Sequence, residues 1–134
     1  VNDGDRISIL LPQSYETGIS HVSAFKLGAI SLPLFILFGD DALEYRLSDS
    51  ASKVVITNEQ CLPTILSIRH NLPHLEHIIV TGKHVQDCAD YHSFESLISN
   101  GDAHFAYKQT SSEDPAVIIY TSGTTGNPKG CLHA

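Results

Sequence analysis

Methionine is absent from the 134-residue chain, which begins at Val1. A natural reading frame opens with methionine, so Val1 and the stop at Ala134 are expected to be two cut ends of a larger protein. Cysteine is scarce: Cys61, Cys88 and Cys131 are widely spaced, and no Cys-x-x-Cys occurs. An odd count at such spacings argues against a disulfide framework and a zinc knuckle. A reducing setting follows, and a cytoplasmic location is expected. Basic charge is in deficit, with eight Lys and Arg against fifteen Asp and Glu and a net charge of −7. An acidic surface argues against non-specific binding to nucleic acid or anionic membranes. Long apolar runs are missing too. The longest, 27–38, is broken by Pro33 and falls short of the ~18 residues of a membrane helix. The start, Val1-Asn2-Asp3-Gly4-Asp5, lacks the positive charge of a signal peptide.

What is present is an ordinary globular composition, 42% apolar and 17% charged, which excludes disorder as a whole-chain reading. The length suits one domain, and a chain of this size buries roughly 68% of its unfolded surface.

Short β-branched runs alternate with amphipathic segments. Residues 6–11 read as a strand ended by Pro12. Ser14 is placed to cap a helix to Leu27, with Ile19, Val22, Phe25 and Leu27 near one face and Gly28 at C′. A strand over 29–32 closes at Pro33. Asp41-Ala42-Leu43-Glu44 has capping-box spacing with Asp41 as the cap, and Leu43 and Leu47 share the helix face that follows. Residues 53–57 read as a strand, and Asn58 as the cap of a helix to His70 that Pro63 delays or kinks. Residues 77–81 are a strand ended by Gly82, 93–99 a short helix, and 116–121 a wholly apolar last strand. The predicted fold class is α/β, a mostly parallel sheet with helices on both faces. The chain divides into β-α-β units over 5–81, a loosely patterned polar stretch over 82–114, and a strand plus loop over 116–130. The apolar triplets 54–56, 78–80 and 117–119 fit strands buried on both sides. A sheet cut after its last strand leaves an unpaired edge and an uncovered apolar face, so the isolated chain is expected to self-associate.

The segment from Tyr120 to Gly130 carries the chemistry. Gly123, Gly126 and Gly130 let the backbone approach a ligand, and Thr121, Ser122, Thr124 and Thr125 add hydroxyl donors. Lys129 adds one positive charge. Donor-rich loops of this kind form anion nests for polyphosphates. It is not a Walker A loop, because Pro128 and Gly130 flank Lys129 and deny it a helix start. Nor is it the dinucleotide motif Gly-x-Gly-x-x-Gly. On composition alone, a Thr/Gly-rich turn between two strands remains an alternative reading.

Other groups read more plainly. His70, His74 and His77 are split by Pro73 and are expected at the surface, with no metal site, because zinc needs converging ligands. Asp40 and Asp41 fit helix capping, Glu113-Asp114-Pro115 a solvated turn, and Cys131 a small packing residue without a base to activate it. His133 has no role legible in the residues.

The string Ser122-Gly123-Thr124-Thr125-Gly126-Asn127-Pro128-Lys129-Gly130, after an apolar strand ending in Tyr120-Thr121, resembles the AMP-binding signature of the adenylate-forming superfamily. Gly4-Asp5-Arg6, Leu11-Pro12-Gln13-Ser14, Lys26-Leu27-Gly28-Ala29-Ile30, Pro33-Leu34 and the run from Glu44 to Ser50 are similar to that family's N-terminal region in order and spacing. Pro33-Leu34-Phe35, Phe38-Gly39, Glu44-Tyr45-Arg46-Leu47 and Leu132-His133-Ala134 look most like the acetate and medium-chain acyl-CoA synthetases. The resemblance implies a fragment of the N-terminal domain of an enzyme that activates a small carboxylic acid with ATP as an acyl-adenylate. It implies transfer of the acyl group to coenzyme A, with Mg2+ in attendance. Thr121, Ser122, Gly123, Thr124, Thr125, Gly126 and Lys129 would then bind the ATP phosphates. The magnesium-binding Glu, the adenine and ribose sites and the catalytic Lys of such enzymes lie downstream of this loop, so catalytic residues are unknown here and the isolated fragment is expected to be inactive. Two alternatives stand beside this: an adenylating enzyme with a non-CoA acceptor, and a non-catalytic fragment that binds nucleotide phosphates or a partner chain.

Overall fold

The alternation of strand-like and helical segments folds, in a computed structural model that describes residues 1–122 and 126–134, as an α/β layer structure. The elements are β1 (Arg6–Leu10), α1 (Tyr15–Lys26), β2 (Ile30–Pro33), α2 (Asp40–Asp49), β3 (Val54–Asn58), α3 (Leu62–Ile68), a 3-10 turn (Arg69–Asn71), β4 (His77–Thr81), β5 (His92–Ser93), α4 (Phe94–Asn100), β6 (Val117–Thr121) and β7 (Lys129–His133). One seven-stranded sheet runs in the order β5-β4-β3-β1-β2-β6-β7. Its pairings are parallel, except that β7 returns antiparallel to β6.

The pleat sends alternate residues to two cores. On one face Leu10, Leu32, Val55, Ile78 and Val80 meet Leu43 and Leu47 of α2 and Ile65 and Ile68 of α3. On the other, Ile7, Ile9, Val54 and Ile56 meet Ala24 of α1 and Phe94 of α4. Helices therefore lie on both faces, as the pattern implied. The triplet 54–56 is buried throughout, and so are Ile78 and Val80.

The third triplet departs from expectation. Val117 and Ile118 are only half-buried, and Ile119 is 44% exposed. Ile118 and Tyr120 pack on the α2 side, whereas neither cluster includes Ile119. The strand β6 lies next to the last strand of the sheet, so neighbouring helices reach only part of it.

The helix α1 is capped as expected: the Ser14 hydroxyl accepts from Thr17 N–H, and Gly28 follows the helix at φ 69°. Its inward face is different. Ser20 and Ala24 are buried, with Ile19 and Leu27 partly packed, while Val22 and Phe25 are 56% and 41% exposed. Small residues let α1 sit close on the sheet, and the Ser20 hydroxyl donates to the Glu16 carbonyl, so its burial leaves nothing unpaired.

Asp41 is not the cap of α2. Gly39 occupies that position without a side-chain bond, and Asp40 and Asp41 lie in the first turn, where their charge complements the helix dipole. Leu43 and Leu47 are both buried on the expected face. Asn58 accepts from Cys61 N–H at 2.9 Å, which starts a turn rather than capping α3 directly. Pro63 is accommodated in the first turn of α3, where no N–H is needed. The short strand β5 was not expected, and β7 matches only the alternative reading of a turn between two strands. Ser93 ends β5 and caps α4, accepting from Ser96 N–H.

Candidate phosphate-binding loop

Strand β6 emerges from the interior of the sheet and ends at Thr121; β7 begins at Lys129. The register sets Thr121 opposite Lys129, Tyr120 opposite Gly130 and Ile119 opposite Cys131. β6 and β7 therefore form a β-hairpin. This agrees with the inference that no helix starts at Lys129, since Pro128 and Gly130 leave the chain extended there. Of the residues expected to hold phosphates, Thr121 and Lys129 are brought face to face at the hairpin mouth. Ser122 and Gly126 are exposed beside them, and Gly126 adopts φ 93°, a conformation that glycine alone takes at little cost. Gly123, Thr124 and Thr125 lie outside the described residues.

The hairpin is anchored on α2. The Tyr120 phenol donates to Asp49 Oδ2 at 2.5 Å. Burial, reinforced by the Asp49 carboxylate, pushes that phenol well above the ordinary tyrosine range. The Arg46 guanidinium carbon lies 4.1 Å from the Phe38 ring centroid and 5.7 Å from that of Tyr120. At the exit of the loop, Tyr45 donates from its hydroxyl to the Pro128 carbonyl at 3.1 Å. Sequence reading passed over these supporting contacts. Its available signal was the i, i+4 spacing of Tyr45 and Asp49, which sets both on one side of α2.

Lys129 is exposed, and among the described residues none of the three ion pairs involves it. One flexible cation beside Ser and Thr hydroxyls is the donor set a polyphosphate needs. Cys131 is exposed rather than packed, because β7 is the edge strand; its Sγ lies 3.7 Å from Thr121 Oγ1. His133 pairs with Val117 at the end of the hairpin away from the loop. His70, His74 and His77 are all at the surface, as expected. Among the described residues no three His, Cys, Asp or Glu converge to hold a metal ion. No described helix is long and apolar enough to cross a membrane.

Comparison with known proteins places this hairpin in a family. The chain is 35% identical to acetyl-coenzyme A synthetase of Bacillus subtilis over 133 residues, 99% of this chain and 23% of that protein. It is 30% identical to the mitochondrial acyl-coenzyme A synthetase ACSM4 of Rattus norvegicus, covering 98% of this chain and 22% of the relative. Its fold superimposes with TM-score 0.92 and 39% identity on the anthranilate CoA ligase AuaEII, solved with anthranoyl-AMP, over 100% of this chain and 26% of that one. The chain thus spans about a quarter of the length of the proteins it matches. The family model for AMP-binding enzymes matches residues 1–134 throughout, and the chain belongs to that family.

Proposed function

We propose that the chain is the N-terminal part of an ATP-dependent acyl-CoA synthetase, an acid–thiol ligase that forms an acyl-adenylate and passes the acyl group to coenzyme A. The observation that carries this is the β6–β7 hairpin, with Thr121 opposite Lys129, in a chain whose relatives are named as CoA ligases. The substrate is a small carboxylic acid, of the aliphatic or aromatic kinds named for the relatives. The compartment is reducing and cytoplasmic, in keeping with three free cysteines.

The carboxylate oxygen attacks the α-phosphorus of ATP, and the bond to the β-phosphate breaks to release pyrophosphate. Charge builds on that leaving group. Thr121, Ser122, Gly123, Thr124, Thr125, Gly126 and Lys129 hold its phosphates. The hydroxyls and backbone N–H groups donate to non-bridging oxygens, and Lys129 offsets charge as a point cation. Mg2+, when bound, would neutralise phosphate charge. Fixing the polyphosphate fixes the angle at which the α-phosphorus meets the acid. Residues 1–134 alone are expected to be inactive, since they span about a quarter of the length of the relatives.

Supplying the full-length protein with ATP, coenzyme A and a panel of short, medium and aromatic carboxylates tests the reading. Acyl-CoA formation with at least one acid supports it. Adenylate formation without transfer to coenzyme A points to another acceptor, and no adenylate with any acid points to a non-catalytic phosphate-binding chain. A second proposal concerns the isolated chain. Leu132, 55% exposed on β7, and Ile119, 44% exposed on the neighbouring β6, support its self-association.

A further inference from the structure

We propose that Tyr45 is a positioning residue for the phosphate-binding loop, acting through its hydroxyl on the Pro128 carbonyl. The proposal rests on the phosphate-binding reading of that loop. It starts from an asymmetry in the hairpin. The strand before the loop, β6, is held by β2 and by Tyr120, whose phenol bonds Asp49 on α2. The strand after it, β7, pairs with β6 and, among the described residues, with no other strand. All five of its residues are exposed. A second tie to the same helix holds the exit of the loop. Tyr45 supplies it, donating to Pro128 at 3.1 Å.

The tie is placed where it has most effect. Proline has no N–H, so its carbonyl is the one backbone polar group at position 128. Holding it orients the peptide that leads into Lys129, the loop's only cation. The Tyr45 ring is itself held edge-on against Tyr120, centroids 6.4 Å apart at 77°. Tyr120 in turn is fixed from both Arg46 and Asp49. One turn of α2 therefore grips the loop at entry and exit, and the two grips touch. A phosphate-binding loop held in this way has less conformational freedom to lose when the nucleotide arrives.

The test is Tyr45→Phe in the full-length protein, which keeps the ring and removes the hydroxyl. KM for ATP is expected to rise about fivefold, the effect of one net hydrogen bond, while KM for the carboxylate and for coenzyme A changes less than twofold. Tyr107→Phe, at an exposed site, is the control and changes none of these. Amide hydrogen exchange provides a readout that needs no activity: Gly126, Asn127 and Lys129 should exchange several-fold faster in Tyr45→Phe, with β1 and β3 unchanged. Equal KM increases for all substrates, or unchanged exchange at 126–129, would overturn the positioning role. An inactive wild type with faster loop exchange in the variant would instead remove the enzymatic reading and leave the tie itself standing.

Discussion

Tyr120 on β6 and Asp49 at the end of α2 are joined by a 2.5 Å hydrogen bond that fastens the last parallel strand to a helix packed on the sheet's main core. Only Ser31↔Val117 pairs β6 with β2, so this side-chain bond carries much of the hairpin's attachment. Tyr120→Phe is expected to lower stability by about 1 kcal/mol in chemical denaturation, since the exposed Asp49 carboxylate is rehydrated when its partner is lost. Asp49→Asn should cost a similar amount, and the double variant should cost less than the sum. Additive costs would mean the two groups do not interact in solution.

His21 couples stability to pH. Its Nδ1 lies 2.6 Å from the Ser31 hydroxyl, and burial pushes the imidazole below its ordinary value of 6.5. The unfolded chain then binds more protons than the folded one as pH falls through 6.5, so stability is present above that pH and lost below it. Thermal melts are expected to show a lower midpoint at pH 5.5 than at pH 7.5. His21→Gln should flatten that dependence. Asp5, Glu16 and Asp87 are held below the ordinary carboxylate range and act at still lower pH. A wild-type midpoint equal at both pH values would contradict the assignment.

The β7 edge is expected to make the isolated chain adhesive. Leu132→Lys places a charge on an edge strand, the usual guard against strand pairing. Light scattering of residues 1–134 should show association that grows with concentration and falls in Leu132→Lys. A monomer at all concentrations would count against it.

How much of this was legible beforehand depends on the kind of signal. Ser14 and Gly28 mark the ends of α1 because their roles are local: a hydroxyl accepting from Thr17 N–H, and a left-handed φ of 69°. The donor-rich character of the string from Tyr120 to Gly130 was legible as chemistry. Its hairpin geometry was not, because Lys129–His133 has no apolar alternation and is a strand only through pairing with β6. Cys131 was misjudged for the same reason, since its exposure follows from an edge position that no local pattern encodes. Val22 and Phe25 misled because apolar residues outnumber what α1 can bury, and the small Ser20 and Ala24 took the contact instead. The Tyr45 and Tyr120 ties span 83 and 71 residues of sequence to Pro128 and from Asp49, a separation that periodicity does not reach.

Carboxylate-dependent exchange of pyrophosphate into ATP by the full-length protein, compared between wild type and Lys129→Ala, tests the central claim most directly. The account predicts exchange that requires a carboxylate and falls at least about tenfold in Lys129→Ala, the loss of a charge-assisted contact of about 1.5–3 kcal/mol. Carboxylate-dependent exchange at the wild-type rate in Lys129→Ala would contradict the assignment of this loop to the phosphates, and no exchange with any carboxylate would contradict the enzyme itself.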